Sequence, residues 1–302
     1  METQKIPLIT IKSLKPGPTV LLTAGIHGDE VGGTMIIQEI FKILKGHLLR
    51  GNIYAFPLLN PVGFENVSRY LSQDHQEDLN RLFPGKKGGT TAEKTADEIF
   101  KMIMGKKPDL VLDIHNDWRE SIPHNLIDYQ VKIAKNQAYA KAKEISQQTG
   151  LITVLDSKDI EGTLSYNLVK QGIPALVMEF GEPQIKTGKN IKVGVKAIIN
   201  LLRKLKMVKP TGKIFIHPTT VVLSGKILKY ADQSSSTNGL VRFCARPGQM
   251  VKKGETVAAI YDVSGAFQEK IKAPAQGIIL GYTDSPLVSP KTIVVSFGLE
   301  KF

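Results

Sequence analysis

The chain has 302 residues, 42% hydrophobic, 23% charged and 7% aromatic, an ordinary globular composition that excludes collagenous, disordered and disulfide-scaffold proteins. At roughly 150 residues per domain two domains are expected, and a chain this long buries about three quarters of its unfolded surface unaided. The net charge of +12, from 40 basic and 28 acidic residues, comes from scattered lysines whose densest groups are the pairs Lys86-Lys87 and Lys106-Lys107, so a nucleic-acid-binding stripe is excluded.

The single cysteine, Cys244, can form neither an internal disulfide nor a cysteine metal cluster, which fits a reducing compartment. Residues 1–15 contain no apolar core of a secretory signal. The longest apolar runs, 174–178 and 258–261, fall far short of the ~20 residues that span a bilayer, so no membrane segment and a cytoplasmic residence are expected.

Along the chain, short branched or aromatic runs at 19–24, 53–59, 110–114, 151–155 and 174–180 are bounded by Gly, Asn or Pro and read as buried strands. Between them, Ala92, Ala96, Ile99, Phe100 and Ile103 recur at helical spacing behind a capping box of Thr90 and Glu93. A helix over 134–148 is expected to close at Gly150, and Ile191, Val195, Ile198, Ile199 and Leu202 mark another apolar helix face. Strand-helix alternation predicts an α/β domain with a largely parallel or mixed sheet over residues 1–208. From Lys209-Pro210 onward the long helical patterns stop, and strand-like pieces at 239–243, 256–261, 277–282 and 292–297 predict a smaller all-β domain over 209–302.

The chemistry-bearing residues cluster at strand ends. The first buried run leads into Gly25-Ile26-His27-Gly28-Asp29-Glu30, where an imidazole and a carboxylate three apart can face one ion. Taken alone, this hexapeptide is as well explained by a solvated loop whose acid answers a helix dipole. The run at 110–114 delivers His115-Asn116, with Asp113 placed either to orient the imidazole or to serve as a structural acid. The run at 174–180 ends in Glu179-Phe180-Gly181, and an acid closing an apolar strand is costly unless paired or metal-linked. Ligands of open α/β sheets gather outside the carboxyl ends of the strands, so these ends are read together. Arg69, Asn80 and Arg81 add forked and amide donors suited to a carboxylate or an oxyanion.

The ordered blocks Gly25-Ile26-His27-Gly28-Asp29-Glu30, Asn60-Pro61-Val62-Gly63-Phe64, Asp78-Leu79-Asn80-Arg81-Leu82-Phe83-Pro84-Gly85, Asp113-Ile114-His115-Asn116 and Glu179-Phe180-Gly181 resemble the aspartoacylase and succinylglutamate desuccinylase family. That family is a deacylase branch of the zinc carboxypeptidase-like fold, so the resemblance implies a mixed central sheet with flanking helices. It implies one Zn²⁺ per chain held by His27, Glu30 and His115, with Glu179 as general base. It further implies that Arg69 polarises the scissile carbonyl, while Asn80 and Arg81 hold the substrate carboxylate. Ser72–Glu77 lengthens the stretch between Arg69 and Asp78 relative to aspartoacylase, which loosens the assignment of Arg69. Family members self-associate, so a homo-oligomer is an implied partner state.

The segments 246–255 and 271–277 are similar to a lipoyl-like barrel-sandwich hybrid, the kind of domain that follows the catalytic one in these deacylases. The tip that would carry a modified lysine corresponds to Asp262-Val263-Ser264-Gly265 and has none, so a lid or scaffold is expected rather than a carrier. The expected activity is hydrolysis of the amide of a small N-acyl amino acid with a free carboxylate. A metallocarboxypeptidase acting on peptides would use the same residues, and a non-catalytic zinc protein is a third reading, disfavoured because structural zinc sites close with four protein ligands. Tyr166, Tyr261 and Tyr282 are the candidates for a substrate-contacting tyrosine.

Overall fold

Near-continuous apolar runs make strands buried on both faces, and this is how the centre of the fold is built. The computed structural model of the protein describes residues 5–71, 76–129, 135–183, 188–223 and 225–300. The strands are β1 (Ile9–Lys12), β2 (Thr19–Ala24), β3 (Asn52–Phe56), β4 (Leu110–Asn116), β5 (His124–Asp128), β6 (Ile152–Asp156), β7 (Ala175–Phe180) and β8 (Ile227–Ser234). They continue as β9 (Gly239–Phe243), β10 (Met250–Val251), β11 (Thr256–Tyr261), β12 (Phe267–Lys272), β13 (Gly277–Tyr282), β14 (Leu287–Val288) and β15 (Ile293–Leu299). The helices are α1 (Gly32–Leu44), α2 (Pro61–Glu65), α3 (Thr91–Met104), α4 (Gln137–Ser146), α5 (Leu164–Lys170), α6 (Lys189–Lys204) and α7 (Pro218–Val222).

Among the described residues the strands form an eleven-stranded mixed sheet, ordered β1-β3-β2-β4-β7-β5-β6-β8-β15-β13-β10, and a separate antiparallel sheet, β12-β11-β9-β14. The two sheets share the C-terminal part of the chain, because β8 pairs in parallel with β6 and carries β15, β13 and β10 onto the large sheet. One apolar cluster covers residues 20–208, a second covers 241–299, and a smaller one of Ile152, Val154, Leu223, Leu228, Ile278 and Leu280 joins them. No described helix is long and apolar enough to cross a membrane.

Local signals explain the helix ends. Thr90 accepts from the Glu93 N–H while the Glu93 side chain returns to the Thr90 N–H, so the expected capping box starts α3. Helix α4 begins at the Asn136 cap and ends at Ser146, short of Gly150, which takes positive φ three residues past the Gln147 cap. Ala134, the expected start of that helix, lies outside the described residues. The same is true of Ser72, Gln73, Asp74 and His75 in the lengthened stretch after Arg69.

Strands β1, β5, β8, β10, β12 and β14 fall outside the runs singled out in the sequence. β5 lies between β7, to which it is antiparallel, and β6, to which it is parallel. Its His124 is 1% exposed, and Nδ1–H donates to the Ile122 carbonyl at 2.9 Å. Burial holds this imidazole neutral, pushing its pKa down to about 4 against a slight rise from that hydrogen bond. The unfolded chain therefore binds a proton that the folded chain excludes between about pH 6.5 and 4, and stability falls as pH drops through that window. The expected loss attributable to His124 is ~3 kcal/mol at full protonation of the unfolded state. Urea midpoints of the wild type and His124→Gln compared from pH 7 to pH 4 should diverge in this way. Parallel midpoints would show that the imidazole protonates in place.

Candidate active site and metal centre

Strand register assembles the site. Residues paired across neighbouring strands put their side chains on the same face. His115 pairs with Glu179 and Asp113 with Val177, Leu126 pairs with Val177, and Asp128 pairs with Asp156. On β8, Tyr230 is two residues beyond Leu228, the partner of Val154, and so lies on this face as well. Five strands thus present Asp113, His115, Glu179, Asp128, Asp156 and Tyr230 to one side of the sheet.

The Gly25–Glu30 loop follows β2 directly. It sits hard against the single turn of α2: a Cβ on Gly28 would lie 2.0 Å from the carbonyl carbon of Gly63, so only glycine permits this approach. Asn60 caps that turn by accepting from the Gly63 N–H at 2.8 Å, which makes the Asn60–Phe64 block a backing for the loop.

Glu30 bridges both histidines, with Oε1 2.6 Å from His27 Nδ1 and Oε2 3.2 Å from His115 Nδ1. The Asn116 N–H also donates to Oε2 at 2.9 Å. One donor atom from each of His27, Glu30 and His115 falls within 4.8 Å of the others, and all three residues are buried. Outer partners fix the rings: Asp113 accepts from His115 Nε2 at 3.0 Å and from the Thr23 hydroxyl at 2.6 Å, so it is the residue that orients this imidazole. Asp78 lies 3.2 Å from His27 Nε2. Burial disfavours charge on Glu30 and Asp78, yet the adjacent histidines, with Arg69 beside Asp78, outweigh it and hold both carboxyls well below the usual range. Burial likewise opposes protonated His115, but Asp113 and Glu30 raise its pKa well above the ordinary value. Ionised carboxylates are thus held against two imidazoles, a donor set suited to a cation.

Arg69 is held by Asp78, donating from Nη2 at 2.8 Å and Nε at 3.2 Å, while its Nη1 reaches to 3.5 Å from Glu30. Asn80 and Arg81 lie on a single 3₁₀ turn capped by Asp78, which accepts from the Asn80 N–H at 2.9 Å. Leu164 N–H donates to Asn80 Oδ1 at 2.9 Å, so the amide oxygen is committed and its NH₂ remains to donate. The following turn is braced by Gly162, whose carbonyl takes the Phe83 N–H, and by Asn167, which donates to the Phe83 carbonyl at 2.9 Å. The guanidinium of Arg81 takes no part in that bracing; Nη1 donates to the Asn80 carbonyl, and the exposed side chain lines the cavity.

A cavity of about 260 Å³ joins these residues. Its walls include His27, Glu30, Arg69, Asn80, Arg81, His115 and Glu179 together with Asp117, Asp128, Asp156, Lys158, Thr163, Ser165 and Tyr230. All seven site residues expected from the sequence therefore meet in one place. Burial, partly offset by His115 and reinforced by Glu30 and Asp117, pushes the Glu179 carboxyl up to about 8. Tyr166, Tyr261 and Tyr282 are not among the cavity walls, whereas Tyr230, from the C-terminal part, is. The sequence reading also passed over Asp78, Asp128 and Asp156. The position of Asp78 two residues before Asn80 was the available signal for the first, and recognition of β5 would have supplied Asp128.

The chain matches the succinylglutamate desuccinylase/aspartoacylase catalytic domain over residues 16–205 and belongs to this family. It is 26% identical over 279 residues to the N-alpha-acetyl-L-2,4-diaminobutyric acid deacetylase of Halomonas elongata, covering 90% of this chain and 79% of that one. It is 24% identical over 226 residues to the succinylglutamate desuccinylase of Pseudomonas putida, covering 72% of this chain and 66% of the other. The fold matches the product-bound ectoine utilization protein EutE (DoeB) of Ruegeria pomeroyi with a TM-score of 0.81 at 23% identity, over 97% of this chain and 89% of that one. It matches a succinylglutamate desuccinylase/aspartoacylase of Rhodobacter sphaeroides equally, with a TM-score of 0.81 at 23% identity over 98% and 89% of the two chains.

Proposed function

We propose that the protein is a zinc-dependent amidohydrolase that removes the acyl group from a small N-acyl amino acid. The observation that carries this reading is the convergence of His27, Glu30 and His115 on a cavity that also holds the half-buried Glu179. Two imidazoles and one carboxylate suit Zn²⁺, and three protein ligands are the number that leaves a position open for chemistry. Both relatives named above carry names of enzymes acting on N-acylated amino acids, which supports the substrate class.

When bound, the metal supplies a water acidified to a pKa near 7 and a Lewis acid for the amide oxygen. Glu179 takes the proton of the attacking water and returns it to the departing amine, a task suited to a carboxyl whose pKa is lifted by burial. Arg69, fixed by Asp78, turns a guanidinium edge towards the negative charge that develops on the carbonyl oxygen. Asn80 and Arg81 hold the α-carboxylate, and Tyr230 closes the far wall. Residues 1–208 act as the catalytic domain. Residues 209–302 act as a lipoyl-like scaffold that lends Tyr230 and blocks long peptides; the Asp262–Gly265 tip presents an exposed Val263 and no lysine.

The carboxylate grip is tested by Arg81→Lys, which keeps the charge and loses the fork. Loss of one charge-assisted hydrogen bond, about 1.5–3 kcal/mol, should lower kcat/KM roughly ten- to a hundredfold on an N-acyl amino acid. The same amide with its carboxylate esterified should lose little, and zinc content should not change. Equal losses on the two substrates would show that Arg81 serves the structure and not the carboxylate.

A further inference from the structure

We infer that this cavity selects an N-acyl amino acid whose side chain ends in an ammonium group, seated between Asp128 and Asp156. The inference rests on the deacylase reading above and names the substrate class of the same site.

Asp128 and Asp156 are direct partners on parallel strands β5 and β6, so the two carboxylates leave the same face side by side. Like charges placed opposite one another on a sheet destabilise it unless something lies between them. Asp128 is 6% exposed. Its Oδ2 accepts both the Thr163 hydroxyl, at 2.5 Å, and the Ser165 hydroxyl, while among the described residues nothing donates to Oδ1. Asp156 Oδ1 accepts the backbone N–H of Lys158 at 2.9 Å, with the Ser157 N–H as a further backbone partner of the carboxyl. No described cation forms an ion pair with either acid. The Lys158 ammonium, although its residue lines the cavity, is committed to Asp232 at 2.8 Å. Arg81 acts on both acids only at a distance. Burial accordingly raises both carboxyls, Asp156 to about 6, as it does for acids taken from water without a counter-ion.

The rest of the cavity fixes where the other parts of a ligand go. The amide lies at His27, Glu30, His115 and Glu179, and the α-carboxylate at Asn80 and Arg81. What remains is the side-chain end, and it faces two carboxylates. A glutamate-like side chain would bring a third negative charge to that wall, and a neutral one would leave the pair uncompensated. An ammonium offers three donors to the free oxygens. The bland alternative is that Asp128 only braces the start of α5 through Thr163 and Ser165, with Asp156 holding its own turn. Such braces would be indifferent to the charge of a substrate.

The test measures kcat/KM of the zinc-loaded protein on Nα-acetyl-ornithine, on its isostere Nα-acetyl-norleucine, and on Nα-acetyl-glutamate. The expected order is ornithine above norleucine by roughly ten- to a hundredfold, the effect of a charge-assisted hydrogen bond, with glutamate lowest. In Asp156→Asn the ornithine-to-norleucine ratio should fall towards one, whereas a purely structural aspartate would slow both substrates alike and leave the ratio intact. A wild-type preference for norleucine or glutamate, or an unchanged ratio in Asp156→Asn, overturns the inference while leaving deacylation standing. If no N-acyl amino acid is hydrolysed, the deacylase reading falls, and calorimetric binding of free ornithine and free norleucine decides the subsite separately. Tighter binding of ornithine supports it, and equal or weaker binding overturns it.

Discussion

Glu179→Gln should lower turnover by about 10²–10⁴-fold, the usual contribution of a positioned acid-base group, while the protein keeps its zinc. Glu179 is the penultimate residue of β7, beside His115, its register partner on β4, and lines the cavity without being one of the three clustered ligands. Glutamine preserves volume and most hydrogen bonding but cannot accept the proton of the attacking water. It also removes a half-buried carboxyl that lies near Glu30, Asp117 and Asp113, so the variant should fold at least as stably as the parent. Turnover under saturating substrate, with zinc measured by elemental analysis on the same sample, reads both halves of the expectation. Near-parental turnover would remove Glu179 from the chemistry, and loss of zinc alongside activity would make it part of the metal seat.

The centre of the site was legible because its residues stand at the ends of apolar strands. β2, β4 and β7 are buried on both faces, so their runs are continuous, and each run stops at the residues that do chemistry. β5 was not legible for the opposite reason. Its sequence, His124-Asn125-Leu126-Ile127-Asp128, is polar at three of five positions, and local pattern argues against burial. Tertiary partners make that burial tolerable: Asn125 Nδ2 donates to the Ser146 and Ile152 carbonyls and to Thr149 Oγ1, and Asp128 takes two hydroxyls. With β5 unread, the Asp128 half of the acidic wall of the cavity stayed unread too.

Tyr230 was beyond reach on different grounds. It comes from β8, in the part of the chain expected to form a separate all-β domain. Only the parallel pairing of β8 with β6 carries it back to the catalytic face. Asp78 stood in plain view beside Asn80 and Arg81, but its grip on both His27 and Arg69 joins residues 51 and 9 positions away, which no local pattern encodes.

The central claim is that one metal ion, held by His27, Glu30 and His115, is required for hydrolysis of an N-acyl amino acid. Stripping the purified protein with a chelator, measuring release of free amine from a panel of N-acetyl, N-succinyl and N-formyl amino acids, and then titrating zinc back tests it directly. The account predicts that the stripped protein is inactive on the whole panel. Activity on at least one substrate should return in proportion to zinc and saturate at about one ion per chain, and His115→Ala should neither bind that ion tightly nor recover. Hydrolysis by the metal-free protein, or stoichiometric zinc with no hydrolysis of any member of the panel, would contradict it.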